Sequence, residues 1–241
     1  MSSAEIAAAR ERLTVVAERI ERASRAAGRE PGSVRLLVAS KTQPADRVRA
    51  LLEAARSLDL PVLLGENRVQ ELVEKGPALA DLAPEWHVIG PLQSNKVNHA
   101  LRWAAAIESV SSFELAERLA RKGLERERAI EVFVQVNVSG EPTKSGVAPD
   151  SAVELALAVA QLEGTRLRGF MTIGANTSDL DVVRAGFARL RVARDEVLAS
   201  GAPRTEHATE LSMGMSGDLE AAIAEGATIV RVGTALFGPR A

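Results

Sequence analysis

Lysine is scarce in this chain. Of its 30 basic residues only Lys41, Lys75, Lys96, Lys122 and Lys144 are lysine, so an ordinary surface cation has mostly been written as arginine. Arginine cannot form an imine, whereas a desolvated lysine amine can attack an aldehyde. Lys41 stands in the most informative place. It ends residues 34–41, where Leu36, Leu37 and Val38 follow one another as in a strand packed on both faces. Pro44 then marks the exit, because proline cannot extend a ladder but suits the start of a helix. Lys41 is thus expected at the carboxyl end of a parallel strand, where α/β folds build their sites. Taken alone, it fits two readings: an imine-forming amine, or a strand-end lysine that snorkels to water.

A second constellation closes the chain, in residues 230–235, Val-Arg-Val-Gly-Thr-Ala. With Val230 and Val232 facing outward, Ile229, Arg231 and Gly233 face a barrel interior. A cation aimed inward needs a partner or a ligand, because an isolated buried charge is costly. Gly233 and Thr234 offer bare backbone N–H groups and a hydroxyl at the rim, and barrel loops after strands seven and eight commonly cradle phosphate. The competing reading pairs Arg231 with Glu210 or another acid. Ser212 shares the inward parity beside this site, while Ser216 reads as the N-cap of the next helix.

The remaining polar candidates are fewer. Asn67, after Glu66 at the end of a second strand, reads first as a helix cap and second as a ligand contact. His87 lies mid-strand and inward by parity with Ile89, as a satisfied core histidine would. Lys144, at the same rim after the fifth strand, reads first as a solvated loop lysine and second as a guide for a phosphate in transit. The chain has no tyrosine and no cysteine, and histidine occurs only at 87, 99 and 207, so general bases near neutral pH are few. No metal-ligand spacing, Ser/His/Asp order or Gly-x-Gly-x-x-Gly turn is present.

The elements that must position these residues alternate. A helix over 3–27, apolar at Ala9, Leu13, Val16 and Ile20, precedes the first strand. Strands follow at 34–41, 61–65, 86–90, 105–110, 130–138, 167–173, 210–213 and 228–235. Helices are expected at 45–57, from 68, up to about 103, from Ser112 as N-cap, and at 150–162, 180–199 and 218–225. In 130–138 the valines at 132, 134, 136 and 138 fall on one face and Glu131, Phe133, Gln135 and Asn137 on the other. Outer helices against the valines and a polar mouth for the amides make sense of that split. Eight strand signals separated by helices predict one α/β unit over 1–241, a (β/α)8 TIM-type barrel with an extra N-terminal helix. That helix would occupy the slot of a final barrel helix.

At 241 residues, with 46% hydrophobic and 26% charged residues, the chain can bury an ample core. A net charge of −2 and 3% aromatics argue against a nucleic-acid surface. No apolar run spans a bilayer and the N-terminus lacks a secretion signal, so a cytoplasmic protein is expected.

Seven segments together resemble the pyridoxal phosphate homeostasis protein family, related to the barrel domain of alanine racemase: VASKTQP (38–44), GENRVQEL (65–72), WHVIGPLQSNK (86–96), VQVNVSGEPTKSG (134–146), GFMTIGA (169–175), LSMGMSGDLEAAI (211–223) and VRVGTALFG (230–238). Arg68 departs from the aromatic usual there, and the approach to Gly65 lacks the family's glycine and phenylalanine. The resemblance implies that Lys41 holds pyridoxal 5′-phosphate as an internal aldimine. It puts Arg231 near the pyridine nitrogen, Ser212, Gly233 and Thr234 around the phosphate, and Asn67 near the cofactor.

An arginine at that nitrogen would keep it unprotonated, since adjacent cations repel, and would weaken the ring as an electron sink. Alanine racemase takes a second base, a tyrosine, from another domain; this chain has neither. The expected role is therefore to hold the cofactor and deliver it to apo-enzymes that depend on it, as a monomer and without a defined turnover. The alternatives are a pyridoxal-phosphate racemase with His87 or water as second base, and a barrel enzyme that forms an imine with a phosphorylated metabolite.

Overall fold

The computed structural model describes residues 3–238. Eight parallel strands close on one another in sequence order: β1 (Arg35–Ala39), β2 (Val62–Glu66), β3 (Trp86–Val88), β4 (Ala104–Val110), β5 (Ile130–Gln135), β6 (Thr165–Met171), β7 (Glu210–Ser212) and β8 (Ile229–Val232). The closing ladder pairs β1 with β8, with Leu37 opposite Arg231 and Val38 opposite Val232. Around them run α1 (Ser3–Ala26), α2 (Ala45–Ser57), α3 (Val69–Ala78), α4 (Val97–Ala100), α5 (Phe113–Glu125), α6 (Ala152–Ala160), α7 (Leu180–Ala199), α8 (Leu219–Ala224) and α9 (Thr234–Phe237). This is the expected TIM-type α/β barrel with an added N-terminal helix.

The two-residue period of a strand sorts side chains into two cores. Leu37, Leu63, Ala106, Phe133, Met171 and Ile229 fill the inside. Val132, Val134, Val136, Val138, Val230 and Val232 pack outward beneath the helices, as their alternation predicts. The amides of Gln135 in β5 and of Asn137 just beyond it do not open onto a mouth, however. Gln135 donates to the Ser145 carbonyl, and Asn137 to those of Glu141 and Lys144, so they tie down the loop after the strand.

Several ends behave as read from sequence. Pro44 is the N-cap residue of α2, Ser112 accepts from the Leu115 N–H at the start of α5, and Gly28 (φ +68°) follows α1. Helix α1 packs on α2, α8 and α9, and thereby fills the position left by the short α9. The sixth strand begins two residues earlier than expected. Its register shifts where Gly169 (φ +146°) presses against the Glu210 backbone so closely that a Cβ would collide. No helix among the described residues is long and apolar enough to cross a membrane.

Candidate functional site

A cavity of about 280 Å3 opens at the carboxyl ends of the strands, where β1, β2 and β8 meet their loops. That size lies near the lower end for small-molecule sites (~300–1,000 Å3). Lys41, Asn67, Arg231, Gly233 and Thr234 all line it, so five of the six site residues expected from sequence converge there. Thr42, Gln43, Ser216 and Gly217 add polar lining, and Ile89, Ile173, Met215 and Phe237 supply apolar walls. Lys41 is half-buried, two residues beyond the end of β1. Helix α9 begins at Thr234, with the Leu236 and Phe237 N–H groups both donating to the carbonyl of its N-cap residue, Gly233.

The donor set is that of an anion site with an amine beside it. The Arg231 guanidinium, the hydroxyl-bearing Ser216 and Thr234 and the amine-bearing Lys41 all line the same cavity. A Cβ at Gly217 would meet open space, which leaves room at the lining for a ligand's own atoms.

Arg231 is 5% exposed and held from behind. Its Nη1 donates to Ser212 Oγ at 2.9 Å and its Nη2 to the Thr172 carbonyl at 2.5 Å. Ser212 donates in turn to Glu108 Oε2 at 2.6 Å, and Glu108 Oε1 lies 2.6 Å from His87 Nδ1. His87 Nε2 lies 3.3 Å from Glu85, which precedes β3 at the amino end of the barrel. A continuous polar chain therefore runs from the cavity through the barrel interior. Burial would lower the His87 pKa, but hydrogen bonds and charge from Glu108 and Glu85 prevail and raise it to about 9. Burial would raise that of Glu108, yet His87, Arg231 and Ser212 hold it below the ordinary carboxylate value. Burial pulls the Arg231 pKa down, opposed by the charges of Glu108 and Asp218.

Several single-residue readings need correction. Asn67 does not cap α3: the N-cap position is Arg68, and no side chain caps there. Asn67 is instead pressed into the rim by Gly90, where a Cβ would collide with the Asn67 backbone. Ser216 does not cap α8, because Asp218 takes that position and closes the turn onto the Met215 N–H. The Ser216 residue is left at the cavity, its carbonyl held by Arg19. Lys144 is no solvated loop lysine. Its side chain is 15% exposed and donates to Glu141 and to the Gly174 carbonyl, which joins the loops after β5 and β6. Arg231 is not paired with Glu210, which binds Arg35, Arg168 and Thr228 at the opposite end. His87 is the satisfied core histidine that its strand position indicates. Ser212 points inward as expected but is fully buried behind Arg231 and is not part of the lining.

Two sets of residues escaped sequence reasoning. Glu108 was visible only as a lone acid in the apolar run 104–110. Lys75 was visible only as one of few lysines, yet it is 4% exposed and bonded to Glu66, which is fully buried.

Comparison with known proteins places this geometry. The family described as "Alanine racemase, N-terminal domain" matches residues 12–241. The pyridoxal phosphate homeostasis protein of Pseudomonas aeruginosa is 46% identical over 230 residues, 95% of each chain. That of Aquifex aeolicus is 41% identical, over 95% of this chain and 97% of its own. Among solved structures, PipY of Synechococcus elongatus with pyridoxal phosphate bound is 36% identical with a TM-score of 0.81, covering 95% of this chain and 100% of that one. An alanine racemase of Clostridium difficile shares the fold at 15% identity and a TM-score of 0.70, over 86% of this chain and 53% of its own. At these identities and coverages the chain belongs to the pyridoxal phosphate homeostasis protein family, within the alanine racemase N-terminal domain family.

Proposed function

We propose that this chain binds pyridoxal 5′-phosphate in the rim cavity and serves intracellular homeostasis of that cofactor, holding it and handing it to apo-enzymes. The observation that carries this reading is the shared cavity of Lys41, Arg231, Gly233 and Thr234. The cofactor, when bound, supplies an aldehyde that condenses with amines and a ring that can accept electron density. Lys41 would hold the cofactor through its amine, the one group of the lining able to condense with an aldehyde. Gly233, Thr234 and Ser216 would hold the phosphate, while Ser212 fixes Arg231 from behind. Arg231 would lie toward the pyridine nitrogen and, as a buried cation, would disfavour its protonation. Asn67 contacts the cofactor from the second strand's loop.

Absence of a defined turnover fits the residues present. Both ring nitrogens of His87 are engaged by acids, Glu108 inside the barrel and Glu85 at its amino end, so it is poorly suited to be the second base of a racemase. The whole chain acts as one domain, a cytoplasmic monomer with no nucleic-acid or membrane partner.

The test is spectroscopic. The protein mixed with pyridoxal 5′-phosphate should turn yellow, lose its visible band on borohydride reduction, and carry the added mass on the Lys41 peptide. Lys41→Ala should abolish that label. Transfer to an apo-enzyme, with and without a trap for free cofactor, then measures delivery. Robust racemisation of an amino acid, lost in Lys41→Ala, would overturn the delivery role, and a protein that gains no chromophore would overturn cofactor binding.

A further inference from the structure

The backbone on both sides of Lys41 is gripped from outside the barrel. Lys75 on α3 is the only buried lysine among the described residues. Its ammonium has three donors and meets three acceptors: the Ser40 carbonyl at 2.8 Å, Glu66 Oε1 at 2.6 Å and Glu71 Oε2 at 3.0 Å. Each acid makes one further bond back to the same turn. Glu66 Oε1 accepts from Ser40 Oγ at 2.6 Å, and Glu71 Oε2 accepts from the Thr42 N–H at 2.6 Å. Residues 40 and 42 are therefore both held, one through its carbonyl and hydroxyl and the other through its N–H, while residue 41 between them lines the cavity.

The held turn is one that its residues would not choose. Thr42 sits at φ +65°, a left-handed conformation unfavourable for a β-branched residue. Such strain persists where the surroundings over-determine it. A compact tetrahedral ammonium can meet three convergent acceptors, where a planar guanidinium cannot, which explains a lysine in a chain that otherwise prefers arginine.

We infer that Lys75, Glu66 and Glu71 form a positioning clamp that holds the Ser40–Thr42 turn in the strained shape directing the Lys41 amine into the cavity. The inference rests on the reading that Lys41 carries the cofactor. Lys75 and the two acids act through the backbone and touch no ligand.

Pyridoxal 5′-phosphate and borohydride test both separately. Label is mapped to peptides over time in the full-length protein, in Glu71→Ala, in Thr42→Gly and in the double variant. Glu71→Ala removes the grip on Thr42 while Lys75 keeps Glu66, so no buried charge is stranded. It should slow labelling of Lys41 by about ten-fold, equivalent to ~1.4 kcal/mol. Glycine adopts φ +65° at little cost, so the same Glu71→Ala change should slow labelling less than about two-fold when Thr42 is already glycine. A merely stabilising Glu71 would cost the same in both backgrounds, and that result overturns the clamp. Lys75→Arg should slow labelling at least as much as Glu71→Ala in protein that circular dichroism shows folded; an unchanged rate there also overturns it. Absence of Lys41 label in the unaltered protein instead defeats the underlying reading.

Discussion

Two buried charge clusters press on one cavity from opposite sides of the barrel wall, and they follow opposite plans. Inside, acids hold a cation: Glu108 stands behind Ser212 and Arg231, with His87 as its second partner. Outside, a cation and its acids hold the main chain: Lys75 and Glu71 bind the backbone of Ser40 and Thr42. The inner cluster sets the electrical potential at the floor of the site. The outer one decides where the chain goes. Buried ion pairs seldom add net stability over apolar packing, so each cluster makes better sense as a device for placing one group, Arg231 in the first case and Lys41 in the second.

The comparison breaks most sharply at the central acids. Glu108→Gln would leave Arg231, which cannot shed its charge, inside the barrel without its nearest acid, while His87 would keep only Glu85. Breaking a buried pair from one side costs on the order of 3–5 kcal/mol, and denaturant unfolding without added cofactor should show a loss of that size. Glu66→Gln should cost less. Glu71 remains to partner Lys75, and Glu66 Oε2 already has no hydrogen-bond partner. Burial moreover prevails over Lys75 and Ser40 and raises the Glu66 pKa, so removing the charge of this carboxyl relieves part of its desolvation cost. Equal losses at the two acids would show that the clusters are not different in kind.

The next effect separates them by pH. The His87 pKa is raised in the folded protein to about 9 from an ordinary 6.5. Its stabilisation is therefore complete below pH 6.5, declines as pH rises, and is gone above pH 9. The shift corresponds to on the order of 3 kcal/mol. Unfolding free energy should fall by about that amount between pH 6 and 9.5, and His87→Gln should flatten the decline. An unaltered decline in His87→Gln would place the titration elsewhere.

What could be read ahead of the structure divides along similar lines. Strand parity put Arg231 and Ser212 inside and the valines of β5 and β8 outside, because a two-residue period is a local property. Carboxyl-end placement brought Lys41, Asn67, Gly233 and Thr234 to one rim because a closed parallel barrel has only one such end. Partner choice was not legible. Ser212 bonds Glu108 across 104 positions, and Lys75 bonds Ser40 across 35. The cap readings at Asn67 and Ser216 failed for a related reason. Residue type favours a cap, but the backbone of the adjoining residues, Arg68 and Asp218, decides where the helix begins.

The smallest effect should come from the amino end of the barrel, where charges of the same kinds meet water. Arg35 binds Glu210 at 3.0 Å with its side chain 38% exposed. Glu210 keeps Arg168 at 3.2 Å and the Thr228 hydroxyl when Arg35 is removed. Nothing buried is stranded, and an exposed pair of this kind contributes roughly 0–1 kcal/mol. Arg35→Ala should therefore lower unfolding free energy by less than about 1 kcal/mol, and by less again in 1 M salt, where screening acts within about 3 Å. The Glu108→Gln loss, shielded by the barrel, should hardly respond to the same salt. If both variants responded alike, water would have to reach the inner cluster, and Arg231 could not act as an unscreened cation at the cavity floor.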